Sequence, residues 1–150
     1  MKNLTFPLAL LAVLAGTLAQ AASPTSAVTP VDMRGLWFLQ GEEGAAKCAS
    51  YLGRRPVEPE AGALVINEKQ LQQWAQHSET TMYFVTDVQP RRASTWRLQA
   101  LVDVPPYEKP KVLETYVFEL RQNELLWSRR VENDAQGEQV DTRVFTRCGY

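Results

Sequence analysis

The chain has 150 residues, 45% of them hydrophobic, with 16 basic against 17 acidic side chains, a formal net charge of −1, two cysteines and one histidine. That size suits one hydrophobic core. The near-neutral balance, with no basic cluster, excludes the electrostatic footprint of a nucleic-acid-binding domain and of a polybasic membrane-binding segment.

Met1-Lys2-Asn3, an apolar run from Leu4 to Leu18 and the small-x-small triplet Ala19-Gln20-Ala21 stand in the order of a cleavable secretory signal. The run contains Pro7 and Gly16 and falls short of the ~20 apolar residues that span a bilayer. Thr17 stands after Leu14-Ala15-Gly16 where a lipid-bearing cysteine would be needed. Residues 1–21 are therefore read as a signal peptide, with a mature chain from Ala22, no membrane anchor, and a periplasmic or secreted location. The 150 residues less those 21 leave 129, and the loss of Lys2 makes the mature charge −2. In an oxidising compartment the even pair Cys48 and Cys148 is expected to form a disulfide. Two thiols with the lone His77 do not make four zinc ligands, so no metal site is expected.

Residues 22–31 are small, polar and Pro-containing, and read as a flexible lead into a single domain over 32–150. Arg34 to Gln40 reads as a strand stopped by a turn at Gly41-Glu42-Glu43-Gly44. Ala45, Cys48, Ala49 and Leu52 have helical spacing, with Gly53 placed as a C-terminal cap, so a short helix directs Cys48 to the core. Gly62 to Asn67 is a strand. Residues 70–76 fit either a helix or the return arm of a hairpin, and the hairpin agrees better with the paired strands expected downstream.

From Thr81 onward apolar residues recur at every second position. Met82, Phe84 and Val88 fall on one face, then Pro90-Arg91-Arg92 turns the chain. Trp96, Leu98, Ala100 and Val102 share a face up to Pro105-Pro106. Tyr116, Phe118 and Leu120 do so in the next run, Leu125 and Trp127 in the one after, and Val140, Val144 and Cys148 in the last. Up to eight strands result. An antiparallel sheet of that size with one apolar face curls to cover it, so the expected fold is all-β, a meander closing into a small up-and-down barrel with one short helix.

Gly35-Leu36-Trp37 in the first strand resembles the Gly-x-Trp of the lipocalin and calycin superfamily, and the pattern is similar to the small exported inhibitors of bacterial metalloproteases, which are calycin-like barrels. The resemblance implies that Trp37 closes one barrel end with a basic residue of the last strand, Arg147, across its ring. It also implies a binding role, for a small apolar molecule or for another protein.

No enzyme signature stands out. Ser78 beside His77 cannot form a relay with its neighbour in a strand, acidic residues are scattered singly, and no phosphate-cradling glycine loop occurs. No catalysis and no cofactor are expected. The four tryptophans, Trp37, Trp74, Trp96 and Trp127, serve either as cavity wall or as core filling. Counting back from a hairpin loop at Gln122-Asn123 sets Leu120 opposite Leu125, Phe118 opposite Trp127 and Tyr116 opposite Arg129, with Glu114 diagonally beyond. That places Glu114, Tyr116, Arg129, Trp127 and Trp96 as candidate ligand contacts at a barrel mouth. The expected function is a monomeric, non-enzymatic exported protein holding a small apolar ligand in a cup. The alternatives are an inhibitor or immunity protein that blocks a secreted enzyme, with Val31 to Trp37 as its candidate arm, and a small periplasmic hydrolase.

Overall fold

A computed structural model describes residues 27–52, 61–75, 79–133 and 137–149, without the side chains of 131–133 and 137–139. The expected signal, Gly53 and His77 lie outside the described residues. After a 3₁₀ turn at Val31–Met33 come β1 (Gly35–Leu39), α1 (Glu42–Leu52), β2 (Ala63–Ile66), β3 (Gln70–Trp74), β4 (Thr80–Arg92), β5 (Thr95–Asp103), β6 (Val112–Arg121), β7 (Glu124–Asn133) and β8 (Gly137–Gly149). Each strand pairs antiparallel with the next and β8 returns to β1, so the meander is a closed eight-stranded barrel. Residues 70–74 are the return arm of the β2–β3 hairpin. Among the described residues no helix is long and apolar enough to cross a membrane.

One barrel end carries the 3₁₀ turn and the β2–β3, β4–β5 and β6–β7 turns, and it is packed dry. Leu64, Leu71, Leu98, Phe118, Leu125 and Phe145 fill the interior above Met33 and Trp37, all with at most 1% exposure. The approach to β1 is docked there rather than extended as an arm. The Thr29 hydroxyl donates to the Asn67 carbonyl at 2.6 Å, and its amide to the Glu68 carbonyl at 2.8 Å. Met33 lies wholly buried, and docking begins at Thr29, inside the stretch expected to be a flexible lead.

Two expected faces are reversed. On β4 the barrel-facing residues are Tyr83, Val85 and Val88, not Met82 and Phe84. A bulge between Val85 and Asp87, with partners Ala100 and Gln99, resets the alternation, so Val88 points inward although Phe84 points out. β4 also runs through Pro90-Arg91-Arg92, and the turn falls on Ala93-Ser94, where Ser94 has φ 56°. On β8 the inward set is Asp141, Arg143 and Phe145, because these pair with the inward Arg129, Trp127 and Leu125. Val144 and Cys148 face outward, and Cys148 is buried only because α1 covers it.

α1 starts at Glu42, so Gly41–Gly44 is a strand-to-helix junction and not a free turn. A Cβ on Gly44 would overlap the Leu39 carbonyl oxygen. Glycine lets the helix lie against β1 and build a second cluster of Leu36, Phe38, Ala63 and Cys148, with Cys48, Tyr51, Val65 and Trp74 against it. The disulfide joins Cys48 of α1 to Cys148 of β8, closing a separation of 100 residues.

The β6–β7 ladder is shorter than its strands. Pairing starts at Arg121–Glu124 and stops at Val117–Ser128. Residues 112–116 remain paired to β5, and 129–133 to β8, with no ladder between them.

Two stability outcomes are expected. Replacing both cysteines by serine lowers stability by about 2–4 kcal/mol in urea unfolding, because the loop released is long. Gly44→Ala, which improves intrinsic helix propensity, nevertheless destabilises by about 1–3 kcal/mol through overlap with the β1 backbone, seen as a lower Tm.

Candidate functional site

The site lies at the other barrel end. Since period two keeps one parity inward, the β7–β8 ladder presents Leu125–Phe145, then Trp127–Arg143, then Arg129–Asp141 to the interior, and the lining turns from apolar to charged within two steps. Above the packed half this leaves a cup of about 450 Å³. Its floor is three aromatic rings in mutual edge-to-face contact, with centroids 5.0 Å apart for Tyr83–Trp127, 5.2 Å for Tyr116–Trp127 and 5.6 Å for Tyr83–Tyr116. Such geometry sets the positive ring edge against the negative face and holds the floor rigid.

The walls are polar. The Tyr116 hydroxyl donates to Glu114 Oε2 at 2.5 Å, and Arg129 Nη1 reaches the same oxygen at 3.5 Å. Arg143 Nε lies 3.8 Å from Asp141 Oδ2, and the Tyr83 hydroxyl donates to Gln73 Oε1 at 3.0 Å. Thr81, Val102 and Val104 continue the wall. Trp74 also lines it, and its indole Nε1 is buried without a hydrogen-bond partner. These ion pairs are wet, so each adds little stability; their effect is to set two positive and two negative groups around the opening.

Of the residues expected at a mouth, Glu114, Tyr116, Arg129 and Trp127 come together in the cup, and Trp96 does not. Trp96 pairs with Pro90 and Phe118 in the packed half. Tyr83, Asp141 and Arg143 belong to the cup without having been expected there. The bulge on β4 hides Tyr83 from the alternation pattern, and the charged residues of β8 stand on the parity that carries Phe145, which is the one signal the sequence offers for them.

At the closed end Gly35 has φ 128°, a conformation that side chains disfavour, which accounts for glycine two residues before Trp37. The Trp37 indole donates to the Met33 carbonyl at 2.9 Å, and the Arg147 guanidinium lies 4.2 Å from the Trp37 ring centroid. Arg147 also donates to the Arg34 carbonyl at 3.1 Å and to that of Asp32. These residues seal the barrel and do not touch the cup. Among the described residues no group of three His, Cys, Asp or Glu side chains is arranged to hold a metal ion.

Comparison of the chain with protein-family models, with curated proteins and with solved structures finds no match in any of the three.

The floor tyrosines supply a pH signature. Burial is the main cause that pushes the Tyr83 hydroxyl from 10.0 up to about 12, with Arg143 opposing and Glu114 adding to the rise. Burial, then the hydrogen bond to Glu114, raises Tyr116 as well. A raised folded value keeps the proton on in the native state while the unfolded chain loses it. Stability is therefore intact below the unfolded value of about 10 and falls as pH climbs toward the folded one, by at most about 1.4 kcal/mol per pH unit for each tyrosine. At about pH 11 the native 295-nm tyrosinate absorbance should fall short of that of the unfolded chain. Tyr83→Phe and Tyr116→Phe should each shrink the shortfall.

Proposed function

We propose that this is an exported, non-catalytic binding protein of calycin-like kinship, and that its open cup takes a small molecule with an aromatic or apolar end and a polar, hydrogen-bonding end. The observation that carries the reading is the layering of the cup, an aromatic floor of Tyr83, Tyr116 and Trp127 beneath walls of Glu114, Arg129, Asp141 and Arg143. Its volume lies within the range of small-molecule sites, which join apolar contact to a few placed polar groups. A wholly apolar ligand suits the lining less well, because it would strip water from four charged walls without replacing its hydrogen bonds. Closure by the Cys48–Cys148 disulfide fits an oxidising compartment.

The second reading, a blocker of a secreted enzyme, is favoured by one feature. Val104, Val112 and Leu113 are each more than half exposed at the same end of the barrel, beside a half-exposed Tyr107. Such an apolar rim is a feature of protein contact surfaces.

Titration with 1-anilinonaphthalene-8-sulfonate, an aromatic body bearing one anion, discriminates. The cup reading expects saturable binding at one site with quenching of tryptophan fluorescence. Thr81→Trp, which adds bulk to the wall, should weaken it about tenfold, or 1.4 kcal/mol, without lowering Tm. Dye binding that never saturates, or that ignores Thr81→Trp, would remove the cup as the working surface.

A further inference from the structure

We propose, resting on the cup reading above, that the ligand is a free α-amino acid with an aromatic or large apolar side chain, its zwitterionic head held between Asp141 and Arg143 of β8. The observation that carries this is how the polar groups of the cup are satisfied. Glu114, Tyr116 and Arg129 bond to one another, since Glu114 Oε2 accepts from the Tyr116 hydroxyl at 2.5 Å and from Arg129 Nη1 at 3.5 Å. The Tyr83 hydroxyl is likewise engaged with Gln73. Asp141 and Arg143 differ. They approach to 3.8 Å, Nε to Oδ2, an ion pair too long for a hydrogen bond, and among the described residues neither side chain makes a hydrogen bond to any protein group. Both are half exposed, so a ligand in the cup can reach them.

The two are also placed to meet one small head group. They stand on the same inward face of β8, Arg143 opposite Trp127 at the aromatic floor and Asp141 opposite Arg129 one step nearer the mouth. An α-amino acid carries its ammonium and its carboxylate on one carbon, which matches a carboxylate and a guanidinium this close. Its carboxylate takes the planar fork of Arg143 and its ammonium donates to Asp141, both as charge-assisted hydrogen bonds. The side chain then rests on the floor of Tyr83, Tyr116 and Trp127.

Charge selects against simpler ligands. A ligand with only an anion draws Arg143 away and leaves Asp141 without its partner, and one with only a cation does the converse. A zwitterion supplies a partner to each. The charged lining of the cup, Glu114, Arg129, Asp141 and Arg143, sums to zero, and a head group without net charge keeps that balance.

The test uses the mature disulfide-bonded protein and calorimetric titration with L-phenylalanine, with 3-phenylpropionate, which lacks the ammonium, and with phenethylamine, which lacks the carboxylate. L-phenylalanine should bind at one site and displace 1-anilinonaphthalene-8-sulfonate, and each analogue should bind about tenfold more weakly. Asp141→Asn should weaken L-phenylalanine about tenfold and 3-phenylpropionate much less; Arg143→Gln should weaken L-phenylalanine about tenfold and phenethylamine much less. If either variant fails to fold, the three ligands on the unaltered protein still decide. Saturable dye binding that responds to Thr81→Trp but is undisturbed by L-phenylalanine would overturn the amino-acid assignment and leave the cup standing, as would an analogue that binds as tightly as L-phenylalanine. Absence of saturable dye binding would remove both.

Discussion

Everything in this molecule rests on the return of β8 to β1. A meander of eight strands has two edges, and pairing Trp37–Arg147, Phe38–Thr146 and Leu39–Phe145 removes both. The pairing sets Arg147 beside Trp37, and a bulge between Leu36 and Trp37 adjusts the register at that point. The guanidinium covers the indole face and bonds the carbonyls that lead into β1, while the next residue, Cys148, is tied to α1. Ladder, ring contact and disulfide thus converge on two consecutive residues of the last strand. One end of the barrel is locked by them, which leaves the other free to stay open.

Where a strand is regular, the sequence pattern identifies its face. Leu98, Ala100 and Val102 on β5, and Tyr116 and Phe118 on β6, are buried as alternation requires. The hairpin at Gln122-Asn123 transmits that register to β7, so Glu114, Tyr116, Trp127 and Arg129 are legible as one cluster. Three features are not legible, each for a physical reason. A bulge adds a residue without any mark in composition, and so alternation alone assigns Tyr83 to the wrong face of β4. β8 buries residues on both sides, Phe145 in the barrel and Cys148 under α1, so an apolar set alone does not tell inside from outside. Gly41 and Gly44 resemble a turn because both are glycine, yet Gly44 serves close helix–strand contact. The placement of Arg147 over Trp37 comes from family resemblance, since no local spacing connects residues 110 positions apart.

The change from apolar to charged along the inward face has a consequence for depth. Taking a charge out of water costs several kcal/mol, so an inward Arg143 or Asp141 is tolerated only where solvent reaches it. The step from Leu125–Phe145 to Trp127–Arg143 therefore marks the water line of the barrel, and the aromatic floor sits on it. The cup is therefore one layer deep and no deeper, because Phe118, Leu125 and Phe145 already fill what lies beneath.

The same boundary explains where the β6–β7 ladder ends. Strands that separate expose peptide groups, which is tolerated only where water or a partner can hydrogen-bond them. β6 and β7 stay paired beside the dry core through Val117–Ser128, and they part at the level where Tyr116 and Arg129 begin the wet half. The open cup and the end of the β6–β7 ladder are thus two results of one division of the barrel. The dry half holds the packing that stabilises the fold, and substitutions there disturb it. In the wet half the side chains of Glu114, Arg129, Asp141 and Arg143 contribute little to stability, so that layer can vary in sequence at little cost to the fold.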